Sequence, residues 1–173
     1  MQTITLEREA LTVDLAPKNE TFALIDPLAA MIKSQPGSTF REKVWSLERA
    51  MKNMPQATIP VEHGFADGLY MRTIVFQKGT VAVGQVHIEQ HVDVMLTGEM
   101  TILMDGGMLR VKAPHVGVTL MGGKKVGIAH EETRWLTVHA NPDNCQDIPV
   151  LEARIAQTHE LPEFNIIEVL PCP

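Results

Sequence analysis

Residues 79–98 read GTVAVGQVHIEQHVDVMLTG, and this stretch decides the predicted fold. β-Branched and other apolar residues alternate with small or polar ones on both sides of the Glu89-Gln90 pair. Alternation with a period of two is typical of strands that bury one face. Gly79 opens the stretch and Gly98 closes it, as turn residues do. The stretch therefore predicts two neighbouring strands joined by a short polar turn.

The same pattern extends outward in both directions. Short β-like runs separated by Gly and Asp turn signals lie at 69–76, 81–87, 92–96, 100–104, 109–112, 116–120, 126–130 and 135–140. A spacing of roughly 8–12 residues between such runs is typical of an antiparallel sandwich or a small barrel. No alternation of strands with helices competes with this interpretation, so we predict an all-β domain over 61–142.

Residues 1–60 have a different texture, because prolines punctuate them and only one segment is periodic. In that segment Thr39 and Glu42 have capping-box spacing, and apolar residues recur at 40, 44, 47, 51 and 54 until Pro55 ends the pattern. We predict an N-terminal arm with an amphipathic helix that packs on the domain or on a partner subunit. Residues 143–173 are predicted to form a short helix over 149–156 and an extended tail over 164–170.

The composition excludes several classes of function. The 173 residues fit one domain with a terminal arm. A net charge of -6, with 15 scattered Lys and Arg, argues against nucleic-acid binding. No run approaches the roughly 20 apolar residues that span a bilayer, and the first residues lack the features of a signal peptide. We expect a cytoplasmic protein that binds neither nucleic acid nor membrane, with Cys145 and Cys172 as reduced thiols.

Three of the 7 histidines, His87, His91 and His130, lie at the ends of predicted strands. Residues two apart on a strand face the same side, so Gln85 and His87 point together, and a turn through 89–90 can bring His91 opposite them. Imidazole is the commonest neutral metal ligand, and a divalent ion gathers three or four such groups while open positions remain for water or substrate. The grouping therefore suggests a metal site.

The spacing of these residues resembles the first signature motif of the cupin superfamily, G-x5-H-x-H-x3,4-E-x6-G. Every spacing of that motif is kept by Gly79, Gln85, His87, His91 and Gly98. Gln85 stands in place of the first His, and His91 stands in place of the Glu.

The second cupin motif, G-x5-P-x-G-x2-H-x3-N, is also matched in spacing. Lys125 replaces its Pro, and Gly127 and His130 fall on its second Gly and its His. Thr119 replaces the first Gly and Arg134 replaces the final Asn. The chain is also similar to a group of small phage-encoded cupin-like proteins of unassigned function, which would place it in the host cytoplasm.

The resemblance implies an all-β fold, a cupin-type double-stranded β-helix or jelly-roll barrel, with the N-terminal helical arm and the short C-terminal helix attached. It also puts Gln85, His87, His91 and His130 at the four metal-ligand positions. Three imidazoles and one amide can hold Zn²⁺, Fe²⁺, Ni²⁺ or Cu²⁺. The alternative is a degenerate cupin whose His87 and His91 are polar residues at the barrel mouth.

Other polar residues near these motifs are candidates for further roles. Glu89 and Glu131 are candidate general acids or bases. Arg72 and Arg134 are candidates for bidentate binding of an anionic ligand. His139 shares one strand face with Trp135 and Thr137, and we interpret it as a structural histidine.

The leading functional hypothesis is a metal-binding cupin that holds a small polar or anionic ligand at the barrel mouth, with metal-dependent catalysis left open. Two alternatives come from other classes. One is a non-enzymatic phage accessory protein that sequesters a small ligand or binds a host partner. The other is a structural oligomerisation unit. Because the helix of the arm needs cover, we expect a homo-oligomer, with a dimer as the first choice.

Overall fold

The computed structural model describes residues 11–14 and 37–157. Its strands are β1 (Leu11–Asp14), β2 (Val61–Ala66), β3 (Leu69–Phe76), β4 (Thr80–Val83), β5 (Val86–His87), β6 (His91–Thr97), β7 (Glu99–Met104), β8 (Gly107–Lys112), β9 (His115–Thr119), β10 (Val126–Ala129), β11 (Thr133–Ala140) and β12 (Ala156–Gln157). Its two helices are α1 (Phe40–Met51) and α2 (Ile148–Ile155).

Two antiparallel five-stranded sheets form a jelly-roll barrel of the cupin type, which confirms the predicted fold class. The first sheet has the order β1-β4-β10-β7-β8 and the second has the order β2-β3-β11-β6-β9. A third ladder pairs β12 with β5 at one end of the barrel. Apart from the β2–β3 and β7–β8 hairpins, consecutive strands of the two sheets lie in different sheets, so residues distant in sequence face one another across the interior.

The predicted and observed strands differ in several places, and neither β1 nor β12 was predicted as a strand. The run predicted over 81–87 is divided into β4 and β5, with Gly84 between them donating its backbone N–H to the carbonyl of Lys125. The first strand of the second sheet, β2, was not predicted, because its sequence VEHGFA lacks a clean alternation of apolar and polar residues. Its pairing with β3 is what holds it in the sheet.

Helix α1 begins where the capping box predicts. The Thr39 side chain accepts from the backbone N–H of Glu42, and the Glu42 carboxylate accepts from the backbone N–H of Thr39. The buried side of the helix, Val44, Leu47 and Met51, packs on the outer side of the first sheet. In the described residues the helix therefore lies on the barrel itself.

Polar contacts also attach α1 to the loop that precedes β10. Lys124 Nζ donates to Glu48 Oε1 at 2.9 Å and to the Gly84 carbonyl at 3.0 Å, and both side chains of the ion pair are buried. Burial raises the pKa of Glu48 and lowers the pKa of Lys124, while their mutual contact opposes both shifts. Arg41 donates to the Gly122 carbonyl at 2.8 Å.

The C-terminal helix α2 starts at the N-cap Asp147, close to its predicted start, and it buries Leu151 and Ile155 beside Tyr70. Cys145, before this helix, is disulfide-bonded, so the expectation that it is a reduced thiol is wrong. Cys172 and the predicted tail over 164–170 lie outside the described residues. No helix among the described residues is long and apolar enough to cross a membrane.

Candidate ligand site

A cavity of about 130 Å³ lies between the two sheets, with α2 and β12 contributing to its wall. Because side chains alternate along a strand, each inner strand contributes every second residue to this space. The apolar lining comprises Ile74, Phe76, Ala82, Met100, Ile102, Trp135 and Ile155. The polar lining comprises Arg72, Gln85, His87, Asp93, Lys125, Thr137 and Glu152. The cavity thus has a large apolar surface and a set of charged groups.

Asp93, on β6, is the centre of a buried hydrogen-bond network. Its Oδ1 accepts from Trp135 Nε1 at 3.1 Å and lies 3.2 Å from His91 Nε2. Its Oδ2 accepts from Lys125 Nζ at 2.6 Å and from the Thr119 hydroxyl. Burial alone would raise the pKa of Asp93, but these hydrogen bonds and the charge of Lys125 outweigh it and lower the pKa. Asp93 is therefore an anion at neutral pH, and its main counter-ion is Lys125.

Three imidazole rings cluster beside this network. The ring centroids of His87 and His91 are 4.1 Å apart, and those of His91 and His139 are 4.5 Å apart. Burial and the neighbouring imidazoles lower the pKa values of His87 and His139 to about 3. Both rings are consequently neutral at physiological pH. His139 Nε2 lies 3.0 Å from the Thr137 hydroxyl, while Nδ1 of His87 and of His91 are buried without a hydrogen-bond partner.

The structure brings together only some of the residues in the predicted metal-ligand set. His87 and His91 are adjacent, and Gln85 and His87 both line the cavity. His130 lies apart from them, where its Nε2 is 2.7 Å from the Thr101 hydroxyl. The third ring of the cluster belongs to His139, for which the sequence predicts a structural role.

The alternation of β10 explains the position of His130. Gly127 faces the cavity, and Lys125, two residues earlier, faces it too. His130 differs from them by an odd number of positions, so it falls on the opposite side of the strand.

The other predicted site residues divide in the same way. Arg72 lines the cavity, whereas Arg134 is exposed and donates to Glu62 at 2.6 Å on the outer side of the second sheet. Glu89 and Glu131 are exposed. In addition to Asp93, a second carboxyl group lines the cavity, and it belongs to Glu152 on α2.

Glu152 was missed because nothing in its local sequence distinguishes it from a surface residue of an amphipathic helix. Its Oε1 atom is buried without a hydrogen-bond partner. Burial raises its pKa, while the charge of Arg72 opposes that rise. His139 could have been found from its position on the same strand face as Trp135 and Thr137, which both line the cavity.

The arrangement does not fit a mononuclear metal centre. Among the described residues, no group of three or more His, Cys, Asp or Glu side chains is placed to hold a metal ion. The physical reasons are that the His87, His91 and His139 rings pack against one another and that Lys125 neutralises Asp93. The ammonium group of Lys125 is also a positive charge that a cation would have to displace.

Solved structures of low sequence identity are similar to about half of this chain. They include a putative ethanolamine utilization protein Q from Salmonella typhimurium LT2, at 16% identity and a TM-score of 0.43 over 51% of this chain and 72% of that one. Another is ectoine synthase from P. lautus, at 14% identity and a TM-score of 0.44 over 50% and 67%. A third is a cupin 2 conserved barrel domain protein from Salinispora arenicola, at 13% and 0.42 over 49% and 77%.

The similarity to these structures concerns the barrel and not an activity. No protein-family model matches the chain, and no curated protein matches it either.

Proposed function

We propose that the barrel binds a small organic anion, with the anionic group at Arg72 and the organic part against the apolar wall. The observation that carries the proposal is the placement of Arg72 in a largely apolar cavity. Burial lowers the pKa of Arg72 to about 10, so the guanidinium is still charged at neutral pH. A cation in such surroundings favours an anionic partner that can accept two parallel hydrogen bonds.

The charges around Arg72 support this choice. Lys125 is paired with Asp93, whose lowered pKa keeps the pair charged. The charges of Glu152 and Arg72 interact, and burial raises the pKa of Glu152. In a site of low polarity a guanidinium attracts a carboxylate more strongly than it does in water.

The size and lining of the cavity limit the ligand. Its volume of about 130 Å³ is close to that of cavities of ~150 Å³ that accept benzene. Apolar contacts are supplied by Ile74 and Met100 and by the flat rings of Phe76 and Trp135. We therefore infer a ligand on the order of ten non-hydrogen atoms or fewer, with one anionic group.

Metal binding at His87 and His91 is the second candidate. The observation in its favour is that both rings leave a buried Nδ1 atom without a hydrogen-bond partner. No third ligand completes the set among the described residues, so we derive no step through a metal. The proposed anion site instead uses Arg72, which needs no metal to hold a carboxylate.

If the bound molecule is turned over, a group in the cavity must transfer a proton. Glu152 lines the cavity, and its raised pKa brings it closer to neutral pH than an exposed carboxyl group. Without turnover the chain is a binding module, the non-enzymatic alternative.

The proposal is tested by calorimetric titration of the full chain with benzoate and with its neutral isostere benzamide, alongside acetate and butyrate. Arg72→Gln removes the charge in the cavity, and Arg134→Gln removes an exposed charge of the same type as a matched control. We expect a carboxylate of this set to bind more tightly than benzamide, Arg72→Gln to weaken it at least tenfold, and Arg134→Gln to leave it unchanged.

The metal candidate is separated from this proposal by repeating the titration after a chelator wash. Binding of the carboxylate should survive the wash. Loss of binding on chelation, together with stoichiometric metal that disappears in His87→Ala, would favour the metal site instead. Equal binding by Arg72→Gln and wild type would contradict the anion site.

A further inference from the structure

Glu152 is a carboxyl group that helix α2 places at the cavity wall. It lines the cavity together with Arg72 of β3, and the charges of the two side chains interact. Its Oε1 atom is buried, and within the described part of the chain that atom has no hydrogen-bond partner. A hydrogen bond to an entering molecule would restore the stability that such a buried oxygen lacks. Glu152 is therefore placed to contact a ligand bound beside Arg72.

The charged side chains that line the cavity balance one another before a ligand enters. Among the described residues of the lining, two are basic and two are acidic, namely Arg72, Lys125, Asp93 and Glu152. Lys125 Nζ lies 2.6 Å from Asp93 Oδ2, and the charges of Arg72 and Glu152 interact. Burial keeps the nearby His87 neutral by lowering its pKa to about 3. With Glu152 ionised these charges sum to zero, so an entering carboxylate adds one negative charge to a balanced set.

The second sheet brings two further titratable groups close to Glu152, and both are uncharged. They are His63 of β2 and Tyr70 of β3, and His63 Nδ1 lies 2.6 Å from the Tyr70 hydroxyl. Burial lowers the pKa of His63 and raises the pKa of Tyr70, so neither group carries a charge at neutral pH. Arg154, two residues along α2, forms an ion pair away from the cavity lining. In the described chain, the cation that acts on Glu152 is therefore Arg72.

A second carboxylate beside Arg72 changes the protonation of Glu152. Two carboxylates that share a guanidinium in surroundings of low polarity repel each other, and this repulsion favours protonation of one of them. Burial already raises the pKa of Glu152, and the entering negative charge raises it further. A protonated Glu152 can donate a hydrogen bond to the ligand carboxylate, which also accepts from Arg72. The charges in the cavity then sum to zero again.

We propose that Glu152 takes up a proton when a carboxylate binds in the cavity, so that the ligand is held jointly by the guanidinium of Arg72 and the carboxylic acid of Glu152. The proposal rests on the anion site proposed above and makes Glu152 a specificity-determining residue of that site. One proton moves from the solvent to the Glu152 carboxylate, and no other bond forms or breaks. The site therefore takes a carboxylate together with a proton, whereas a neutral amide binds without one.

The test is calorimetric titration of the full chain with benzoate, butyrate and benzamide in two buffers that differ in ionisation enthalpy. The dependence of the measured heat on the buffer gives the number of protons taken up. We expect about one proton per bound carboxylate and none for benzamide. Between about pH 6 and pH 8, the affinity for the carboxylate should fall by up to about tenfold per pH unit, because the proton becomes scarcer.

Glu152→Gln keeps the shape of the side chain and remains neutral at every pH. This variant should bind the carboxylate without proton uptake and with an affinity independent of pH. At about pH 8 we expect it to bind at least tenfold more tightly than wild type, because no proton has to be taken from the solvent. Glu131→Gln, which removes an exposed carboxylate, is the matched control and should behave as wild type.

The outcomes separate this proposal from the anion site on which it rests. Carboxylate binding by wild type without proton uptake would overturn the role of Glu152 and leave the anion site intact. Proton uptake that persists in Glu152→Gln would overturn it as well, because another group would then hold the proton. Absence of binding by both carboxylates would overturn the two proposals together. Circular dichroism and the melting temperature check folding, and Glu152→Ala, which should also lose the proton uptake, replaces Glu152→Gln if that variant does not fold.

Discussion

At the scale of single residues, the site combines charged groups that pair with each other and imidazole rings that stay neutral. Asp93 remains ionised because His91, Lys125, Thr119 and Trp135 all direct polar atoms at it. His87, which also lines the cavity, is kept neutral by burial. Groups with opposite titration behaviour therefore share one wall of the barrel, and this makes the stability of the barrel depend on pH.

The buried histidines predict acid sensitivity. His87 and His139 have pKa values of about 3 in the folded chain and near 6.5 when unfolded, so the unfolded chain binds more protons between these limits. The stabilisation is fully present above about pH 6.5 and is lost as the pH falls toward 3. We expect the free energy of unfolding in urea to drop by about 2 kcal/mol per histidine between pH 7 and pH 5.

The measurement is urea unfolding at a series of pH values on wild type, His139→Gln and the control His115→Gln. His139→Gln should flatten the dependence, while His115→Gln should leave it steep. A profile that is flat for wild type between pH 7 and pH 5 would show that these rings are not held neutral. Asp93 does not contribute to the change in the free energy of unfolding between pH 7 and pH 5. Because its pKa is lowered in the folded chain, its contribution is lost only below about pH 4.

At the scale of elements, the barrel depends on turns that the sequence marks with glycine. Gly98 lies between β6 and β7, which belong to different sheets, and its φ is 88°. A Cβ at this position would collide with the backbone carbonyl of Glu132 and with Thr133. The crossing from one sheet to the other thus requires both a positive φ and the absence of a side chain.

Gly98→Ala should lower the free energy of unfolding by more than about 2 kcal/mol, because backbone strain and a collision with backbone atoms add together. Gly106→Ala is the matched control, since a Cβ at Gly106 meets nothing within 4 Å. Thermal and urea unfolding of both variants measure the difference. Equal stability of the two alanine variants would show that Glu132 and Thr133 do not lie as close to Gly98 as the structure places them.

At the scale of the whole molecule, each sheet has an inner side that contributes to the cavity, and the outer side of the first sheet is covered by a helix. Helix α1 covers the first sheet with Val44, Leu47 and Met51. The buried pair Glu48 and Lys124 lies at this contact and ties the helix to the segment that delivers Lys125 to the site. Docking of the helix and placement of Lys125 are therefore linked through adjacent residues.

Glu48→Gln should destabilise the chain by about 3 kcal/mol, because it leaves the ammonium of Lys124 buried without its counter-ion. The double variant Glu48→Gln with Lys124→Met should recover much of that loss, since no buried charge remains. Arg49→Gln, on the exposed side of the same helix, is the control. Urea unfolding of the three variants and of wild type gives the comparison. A double variant no more stable than Glu48→Gln would show that the buried charge of Lys124 is not the cause of the loss.

The sequence by itself determined the features that depend on local pattern. Alternation with a period of two predicted most strands, the capping box predicted the start of α1, and the short turn between Gln85 and His91 predicted the pairing of His87 with His91. These features need only the geometry of a strand or a helix turn, which neighbouring residues specify.

Only the tertiary structure decided which distant residues share the cavity. Lys125, Thr137 and Glu152 line the cavity and come from a loop, a strand and a helix that meet only when the sheets close. His130 lies apart from the histidine cluster because it falls on the outward side of β10. The spacing of residues along the chain does not specify which side of that strand faces the cavity. The physical reason is that burial, charge pairing and strand orientation depend on what lies across the barrel, whereas a sequence pattern records only what lies next along the chain.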